Sequence, residues 1–229
     1  MIPPVSSRKV DVWRVRLDPG DREEQMRGVL SADESERLSR LDRTGVGRRW
    51  LVSRAALREV LAAVLGIDAR EVKLKLGEHG RPGLDPVVHA SNLDFNLSHS
   101  GELALIALAE GLRIGIDVEK PRGRDPLRVA GRYFSPVEVE AIRAADDRPD
   151  EFLRYWTAKE ALAKGLGLGL QAPWGELEVS AEPGGALAPL GKPEWRLIEI
   201  DDLPAGYRGT LAVAGGEARI VSCDWPPAA

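Results

Sequence analysis

Asp117 and Glu119 are the residues whose types and spacing most directly suggest chemistry. They lie in the run Ile114 to Lys120, read Ile-Gly-Ile-Asp-Val-Glu-Lys. In a strand, alternate residues share a face, so Ile114, Ile116 and Val118 point one way and Gly115, Asp117 and Glu119 the other. Two carboxylates two residues apart repel unless a positive charge stands between them, either a metal ion or a Lys/Arg cluster. Oxygen-only ligands favour magnesium. The competing reading is an edge strand whose polar face is solvated.

Three further groups carry polar chemistry. Ser98, His99 and Ser100 stand before Gly101 at the mouth of an expected hairpin. Ser98 and His99 cannot act on each other as nucleophile and base, because adjacent strand residues face opposite ways, and no G-x-S-x-G elbow exists. Their hydroxyls and imidazole could instead hold a phosphate; the alternative is that His99 only caps the hairpin. Glu160 and Lys164 follow Leu153 and Trp156 on one stripe of a helix, where Glu160 needs a cation. Lys164 is either its i,i+4 partner or a second anion-binding group. Arg54 falls in the apolar stripe of an earlier helix, four residues after Trp50, and there requires a carboxylate or a phosphate.

The elements that position these residues follow from pattern. Val10 to Val15 reads as a strand ended by Pro19-Gly20, and Ser31 with Glu34 has the capping-box spacing. A helix from Val46 to Leu65 carries Trp50, Leu57, Leu61 and Val64 on one stripe and stops at Gly66. Val72 to Leu76 is a strand, and Gly77 to Gly83 a turn-rich loop around Arg81. Leu103 to Ala109 is apolar enough to be buried on both faces. An antiparallel partner beside it would bring Asp117 and Glu119 opposite the hairpin. Arg128 to Phe134 is a short helix; Ser135 caps a helix from Pro136 to Ala144 with Glu138 at its third position. A longer helix runs from Glu151 to Lys164. Leu177 to Ser180, Trp195 to Ile200, Tyr207 to Ala214 and Ala218 to Cys223 read as strands of one antiparallel sheet, with a turn at Pro183-Gly184-Gly185.

Composition bounds the function classes. The chain has 229 residues, 43% of them hydrophobic, enough for one large or two small domains with a real core. Against 36 Asp and Glu stand 32 Lys and Arg, a formal charge of -4, so indiscriminate binding to nucleic acid or anionic membrane is not expected. The lone Cys223 excludes an intrachain disulfide or a cysteine-rich zinc site and suits a reducing cytoplasm. The start, Met1-Ile2-Pro3-Pro4, lacks a signal-peptide pattern, and no apolar run approaches a membrane span, so a cytoplasmic protein is expected.

Phe95 to Gly101, Gly115 to Lys120 and Trp156 to Ala161 together resemble the three signature segments of the 4′-phosphopantetheinyl transferases, specifically the broad-specificity type that activates nonribosomal peptide and polyketide synthases. Gly80-Arg81-Pro82 upstream and Arg132-Tyr133-Phe134-Ser135 between the second and third extend the resemblance over most of the chain. It implies a monomeric α+β protein of two pseudo-symmetric lobes, residues 1–111 and 112–229, each a small antiparallel sheet packed on helices, with coenzyme A in the cleft between them.

The reaction implied is transfer of the phosphopantetheine arm of coenzyme A to a serine of an acyl or peptidyl carrier protein, releasing adenosine 3′,5′-bisphosphate. On this reading Asp117, Glu119 and Glu160 hold magnesium, or manganese. Lys164 and Lys159 add positive charge at the pyrophosphate, and Glu160 is the general base, directly or through a water on the metal. Ser98, His99 and Arg81 match positions that hold the nucleotide and its 3′-phosphate, with Arg49 and Arg54 as further candidates. The first helix departs from the family by carrying Asp33, Glu34 and Glu36 beside Arg37. The carrier is expected to dock beside Pro121 to Phe134, where Arg122 and Arg124 could steer it. Two other readings compete: a different magnesium enzyme acting on phosphate esters, and a binding module that recognises carriers without modifying them.

Overall fold

The computed structural model describes residues 8–42, 46–77, 79–123, 125–169, 172–182 and 185–226. Met1 to Pro4, Glu78, Arg124 and the Pro183-Gly184 turn lie outside the described residues. The chain runs β1 (Lys9–Arg16), α1 (Glu23–Gly28), α2 (Ala32–Asp42), α3 (Gly47–Leu65), β2 (Leu74–Leu76), β3 (Pro82–Leu84), β4 (Leu93–Ser100), β5 (Leu103–Glu110) and β6 (Ile114–Glu119). It continues through α4 (Pro126–Tyr133), α5 (Pro136–Ala144), α6 (Arg148–Leu166), β7 (Val179–Ala181), β8 (Leu187–Pro189), β9 (Trp195–Glu199), β10 (Arg208–Ala214) and β11 (Arg219–Trp225). This is the mixed α+β architecture expected, small largely antiparallel sheets packed on helices.

The first sheet has the order β11-β1-β5-β4 and the second β6-β10-β9. They stack through β5, which is buried on both faces as its unbroken apolar sequence requires. Ala104, Ile106 and Leu108 pack with Leu51, Leu57 and Leu61 of α3. Leu105 and Ala107 instead meet Ile114, Ile116 and Val118 of β6 and Leu211 and Val213 of β10. Ala212, on the other face of β10, packs with Ala161 and Leu162 of α6. The layers are therefore helix, sheet, sheet, helix, and the face of β6 that carries Asp117 and Glu119 is turned to α6.

Local signals explain the helix ends. Ser31 and Glu34 form the expected reciprocal cap, with N–H to oxygen distances of 2.9 and 3.3 Å, and Ser135 and Glu138 repeat it at 2.8 and 3.4 Å. α3 ends on Gly66 at φ +68° and α6 on Gly167 at φ +75°, the left-handed conformation that glycine adopts without a Cβ penalty. α6 thus runs past Lys164 to Leu166.

Three expectations of pairing are corrected. Leu177 to Ser180 does not join β9 and β10, because β7 pairs with β8 in a two-stranded sheet of its own. Ala218 to Cys223 does not join a sheet with β9 and β10; β11 lies parallel to β1, from Lys9 opposite Arg219 to Val15 opposite Trp225, and completes the first sheet. Trp225 is the reason, because it is buried in the α3 core and its indole N–H donates to Glu59 at 3.0 Å. The turn at Gly111 still separates β5 from β6, but sheet membership does not follow a division into 1–111 and 112–229. Nor is β6 the antiparallel neighbour of β5: β5 pairs with β1 and β4, while β6 pairs with β10.

Candidate active site

The site lies where the edge of the first sheet meets the edge of the second. β6 gives one set of N–H groups to β10 and needs acceptors for the others. They come from side chains of β4. Ile114 N–H donates to Asp94 at 2.9 Å, Ile116 to Asn96 at 2.8 Å, Val118 to Ser98 at 3.4 Å and Lys120 to Ser100 at 3.2 Å. Every pair is separated by 20 residues, so β4 and β6 run in the same direction, joined by side chains in place of a backbone ladder. This register sets Ser98 beside Asp117 and Ser100 beside Glu119.

The hydroxyls face two ways. Ser98 donates to Asp117 Oδ1 at 2.7 Å and Ser100 to Glu119 Oε2 at 2.6 Å. From α6, Lys164 Nζ donates to Asp117 Oδ1 at 2.6 Å, to Ser98 Oγ at 2.9 Å and to the Ile116 carbonyl at 3.2 Å. Lys164 therefore partners Asp117 and makes no i,i+4 bond with Glu160. Asp117 is 3% exposed, and its Oδ2 is buried without a hydrogen-bond partner.

α6 can approach so closely because β6 has Gly115 at the contact. A Cβ there would lie 2.1 Å from the Ala161 carbonyl oxygen and 2.3 Å from Gly165 N. Glu160, one residue before that contact, is half-buried. Desolvation first, and then the negative charge of Asp117, push its carboxyl up to about 7. Glu119 is gripped from the other side by Arg122, at 3.0 and 2.9 Å. His99 is exposed on the face opposite Ser98, as strand alternation requires, and desolvation followed by the charge of Lys164 lowers its imidazole pKa.

Other expected site residues stand apart from this cluster. Lys159 is fully buried with its ammonium 2.6 Å from Glu138 and over the Phe134 ring at 4.6 Å. One residue is about 100° of helix, and Lys159 consequently faces the α5 side while Glu160 faces the site. Arg54 pairs with Glu34 at 3.5 Å and lies over Trp50 at 5.5 Å, so its partner is a carboxylate. Glu34 is taken up by its cap and by Arg58 at 2.5 Å. Arg81 turns into the sheet junction, binding Asp94 at 2.8 Å and several backbone carbonyls. Arg49 is exposed and lines a cavity of about 450 Å³ with Arg16, Arg48 and Glu102, the last only two residues beyond Ser100.

The residues missed from the sequence are Asp94 and Asn96, while Ser100 and Arg122 were expected at a phosphate and at the carrier and instead bond Glu119. A signal existed for the first two, since Asp94, Asn96, Ser98 and Ser100 form a period-two polar face on a strand. Beyond Glu119 the site opens into a cavity of about 320 Å³ lined by Arg122, Val129, Tyr133, Phe152 and Trp156. Trp156 stacks between Phe152 at 5.7 Å and Trp174 at 5.9 Å.

Among the described residues no three His, Cys, Asp or Glu side chains are gathered tightly enough to hold a metal ion as they stand. Lys164 and Arg122 instead supply the positive charge. The donor set nevertheless suits a hard divalent cation: it is oxygen-only, Asp117 Oδ2 lacks a partner, and burial and negative neighbours raise the Glu160 carboxyl, a cost that a cation would relieve.

Carboxylates, an ammonium and hydroxyl donors set between an arginine-lined cavity and an aromatic one make a site suited to an anionic, phosphate-bearing substrate with an apolar arm. Residues 113–211 match the 4′-phosphopantetheinyl transferase superfamily, and residues 19–111 the N-terminal region of 4′-phosphopantetheinyl transferases. The 4′-phosphopantetheinyl transferase HetI of Nostoc sp. is 36% identical over 215 residues, which cover 91% of this chain and 89% of that protein. The L-aminoadipate-semialdehyde dehydrogenase-phosphopantetheinyl transferase of Mus musculus is 30% identical over 67% of this chain, and this chain spans 53% of its length. A holo-(acyl-carrier-protein) synthase from Bacillus anthracis, solved in complex with CoA (3′,5′-ADP), is similar over 46% of this chain and 96% of that one, with 17% identity and a TM-score of 0.38. The chain belongs to the 4′-phosphopantetheinyl transferase superfamily. It is an enzyme of that class, and its reaction transfers phosphopantetheine to carrier proteins.

Proposed function

We propose that this protein is a magnesium-dependent phosphopantetheinyl transferase acting on the carrier domains of nonribosomal peptide and polyketide synthases, working as a cytoplasmic monomer. The observation that carries the site assignment is buried Asp117 bonded to Ser98 and Lys164, with Glu119 and Glu160 near enough for their charges to act on one another. It is supported by the partnerless Asp117 Oδ2 and the raised Glu160 carboxyl.

In the reaction, the carrier serine Oγ forms a bond to the phosphorus that bears the pantetheine arm. The bond from that phosphorus to the bridging oxygen breaks, and its electron pair leaves with adenosine 3′,5′-bisphosphate. Glu160 takes the serine proton as general base. Lys164 moves its donors from Asp117 to the phosphates, while Ser98, His99 and Arg49 hold the nucleotide. Bound by Asp117, Glu119 and Glu160, magnesium or manganese would supply charge neutralisation at the pyrophosphate.

The test is intact mass spectrometry of an apo carrier protein incubated with the enzyme, coenzyme A and magnesium. The carrier is expected to gain the mass of one phosphopantetheine, and a chelator should abolish the gain. Asp117→Ala should lose transfer while unfolding at the wild-type temperature or above; full activity in that variant would overturn the assignment.

A further inference from the structure

Arg81 makes the most concentrated set of contacts at the sheet junction. It precedes β3, is 20% exposed, and reaches three other elements. Its guanidinium donates to both oxygens of Asp94 at 2.8 and 2.9 Å and to the Phe95 carbonyl at 3.2 Å on β4. It donates to the Ile114 carbonyl at 2.8 Å on β6, and to the carbonyls of Lys164 and Gly165 at 2.7 and 3.3 Å in the last turn of α6. Those last carbonyls stand at the negative end of the helix dipole, where a cation is favoured; the Lys164 carbonyl also accepts from the capping Gly167 N–H at 3.1 Å and the Gly165 carbonyl from Arg113 at 3.0 Å. Asp94 meanwhile accepts from Ile114 N–H and is the first rung of the side-chain ladder.

We propose that Arg81, with the ladder Asp94–Asn96–Ser98–Ser100, is the joint between the two sheets, and that Arg81 is a positioning residue which holds the last turn of α6 so that Lys164 reaches Asp117. Its donors are directed at protein acceptors on β4, β6 and α6. The residue whose side chain meets Asp117 is thus the same residue whose carbonyl Arg81 grips. Asn96 acts alike one rung on: it is 6% exposed and satisfies Ile116 N–H, adjacent to Asp117.

The role in catalysis rests on the transferase reading, whereas the joint itself does not, and the test separates them. Arg81→Lys keeps a charge that would still serve a phosphate but loses the planar fork needed for several acceptors at once. Three quantities are measured on Arg81→Lys, Arg81→Ala and Asp94→Asn: amide exchange at Ile114, Ile116 and Val118, calorimetric affinity for coenzyme A, and kcat for transfer. For Arg81→Lys, β6 exchange at least tenfold faster, a coenzyme A Kd within threefold of wild type and a kcat at least tenfold lower are expected. Asp94→Asn retains the acceptor for Ile114 N–H and should shift in the same direction by less, so the test survives if Arg81→Ala does not fold. Unchanged β6 exchange in Arg81→Lys would overturn the joint. A coenzyme A affinity lost in Arg81→Ala and restored in Arg81→Lys, with exchange unaltered, would make Arg81 a phosphate ligand instead. If the wild-type protein shows no transfer, the transferase reading fails and the exchange data still decide the joint.

Discussion

Glu160 carries a pH dependence whose sign follows from its surroundings. Its carboxyl is raised from an ordinary 4.5 to about 7, first by desolvation and then by Asp117. Between those values the folded protein keeps a proton that the unfolded chain has lost. The stabilisation is therefore complete below 4.5, declines as pH rises and is gone above 7. The size is on the order of 2–3 kcal/mol, reduced by solvent screening because the group is only half-buried. Urea unfolding should show wild-type stability falling between about pH 4.5 and 7 and level above it, and Glu160→Gln should flatten that fall, matching wild type near pH 4.5 and exceeding it at pH 8. Equal slopes in the two proteins would refute the assignment. Lys159 shows how one position changes a residue's meaning: next to Glu160 in sequence, it is spent on buried Glu138.

At the scale of elements, the approach of α6 to β6 decides whether the cluster exists. Gly115 and Gly165 permit it, since a side-chain carbon at Gly115 would press on the α6 backbone and one at Gly165 on the Trp195 ring, 2.5 Å away. Backbone cannot yield as a flexible side chain does. Gly115→Ala is expected to cost roughly 1–3 kcal/mol, and more if α6 cannot shift. It should also lower kcat by moving Glu160 and Lys164 from Asp117 and Glu119. Thermal unfolding and the transfer assay check the two effects together, and a wild-type melting temperature would show that the contact has slack. Helix positions and caps were legible from Ser31, Ser135, Gly66 and the 3.6-residue stripes, because those signals are local. The hairpin of β2 with β3 was less so: Pro82 to Leu84 reads as loop and becomes a strand only by pairing with Leu74 to Leu76.

For the whole molecule, the surface beyond Glu119 is the expected carrier-docking face. Lys120, Arg122, Arg128 and Arg132 are exposed around the aromatic cavity, and Val137 is 76% exposed beside them. An acidic partner with an apolar side chain to bury suits this face, with the charges acting mainly on association rate. Arg122 also grips Glu119, so the informative variant is Arg128→Glu with Arg132→Glu. It should raise the carrier KM about tenfold, leave coenzyme A affinity unchanged and reduce the sensitivity of KM to salt. An unaltered KM would place docking elsewhere. Among the described residues no helix is long and apolar enough to cross a membrane.

Sequence alone singled out the groups proposed to carry the chemistry. Alternation put Asp117 and Glu119 on one face and separated Ser98 from His99, helical spacing aligned Trp156, Glu160 and Lys164, and the unbroken apolar run of Leu103 to Ala109 required burial on both sides. These follow from periods of two and 3.6 residues, which every chain obeys locally. Only the tertiary structure decided the partners. Lys164 chose Asp117 over Glu160, Arg54 found Glu34, Arg81 turned to Asp94 and the end of α6, and Cys223 with Trp225 returned to the first sheet. Each choice depends on which edges and faces meet across the fold, and pairing between distant segments is set by three-dimensional packing that leaves no periodic trace in the residues themselves.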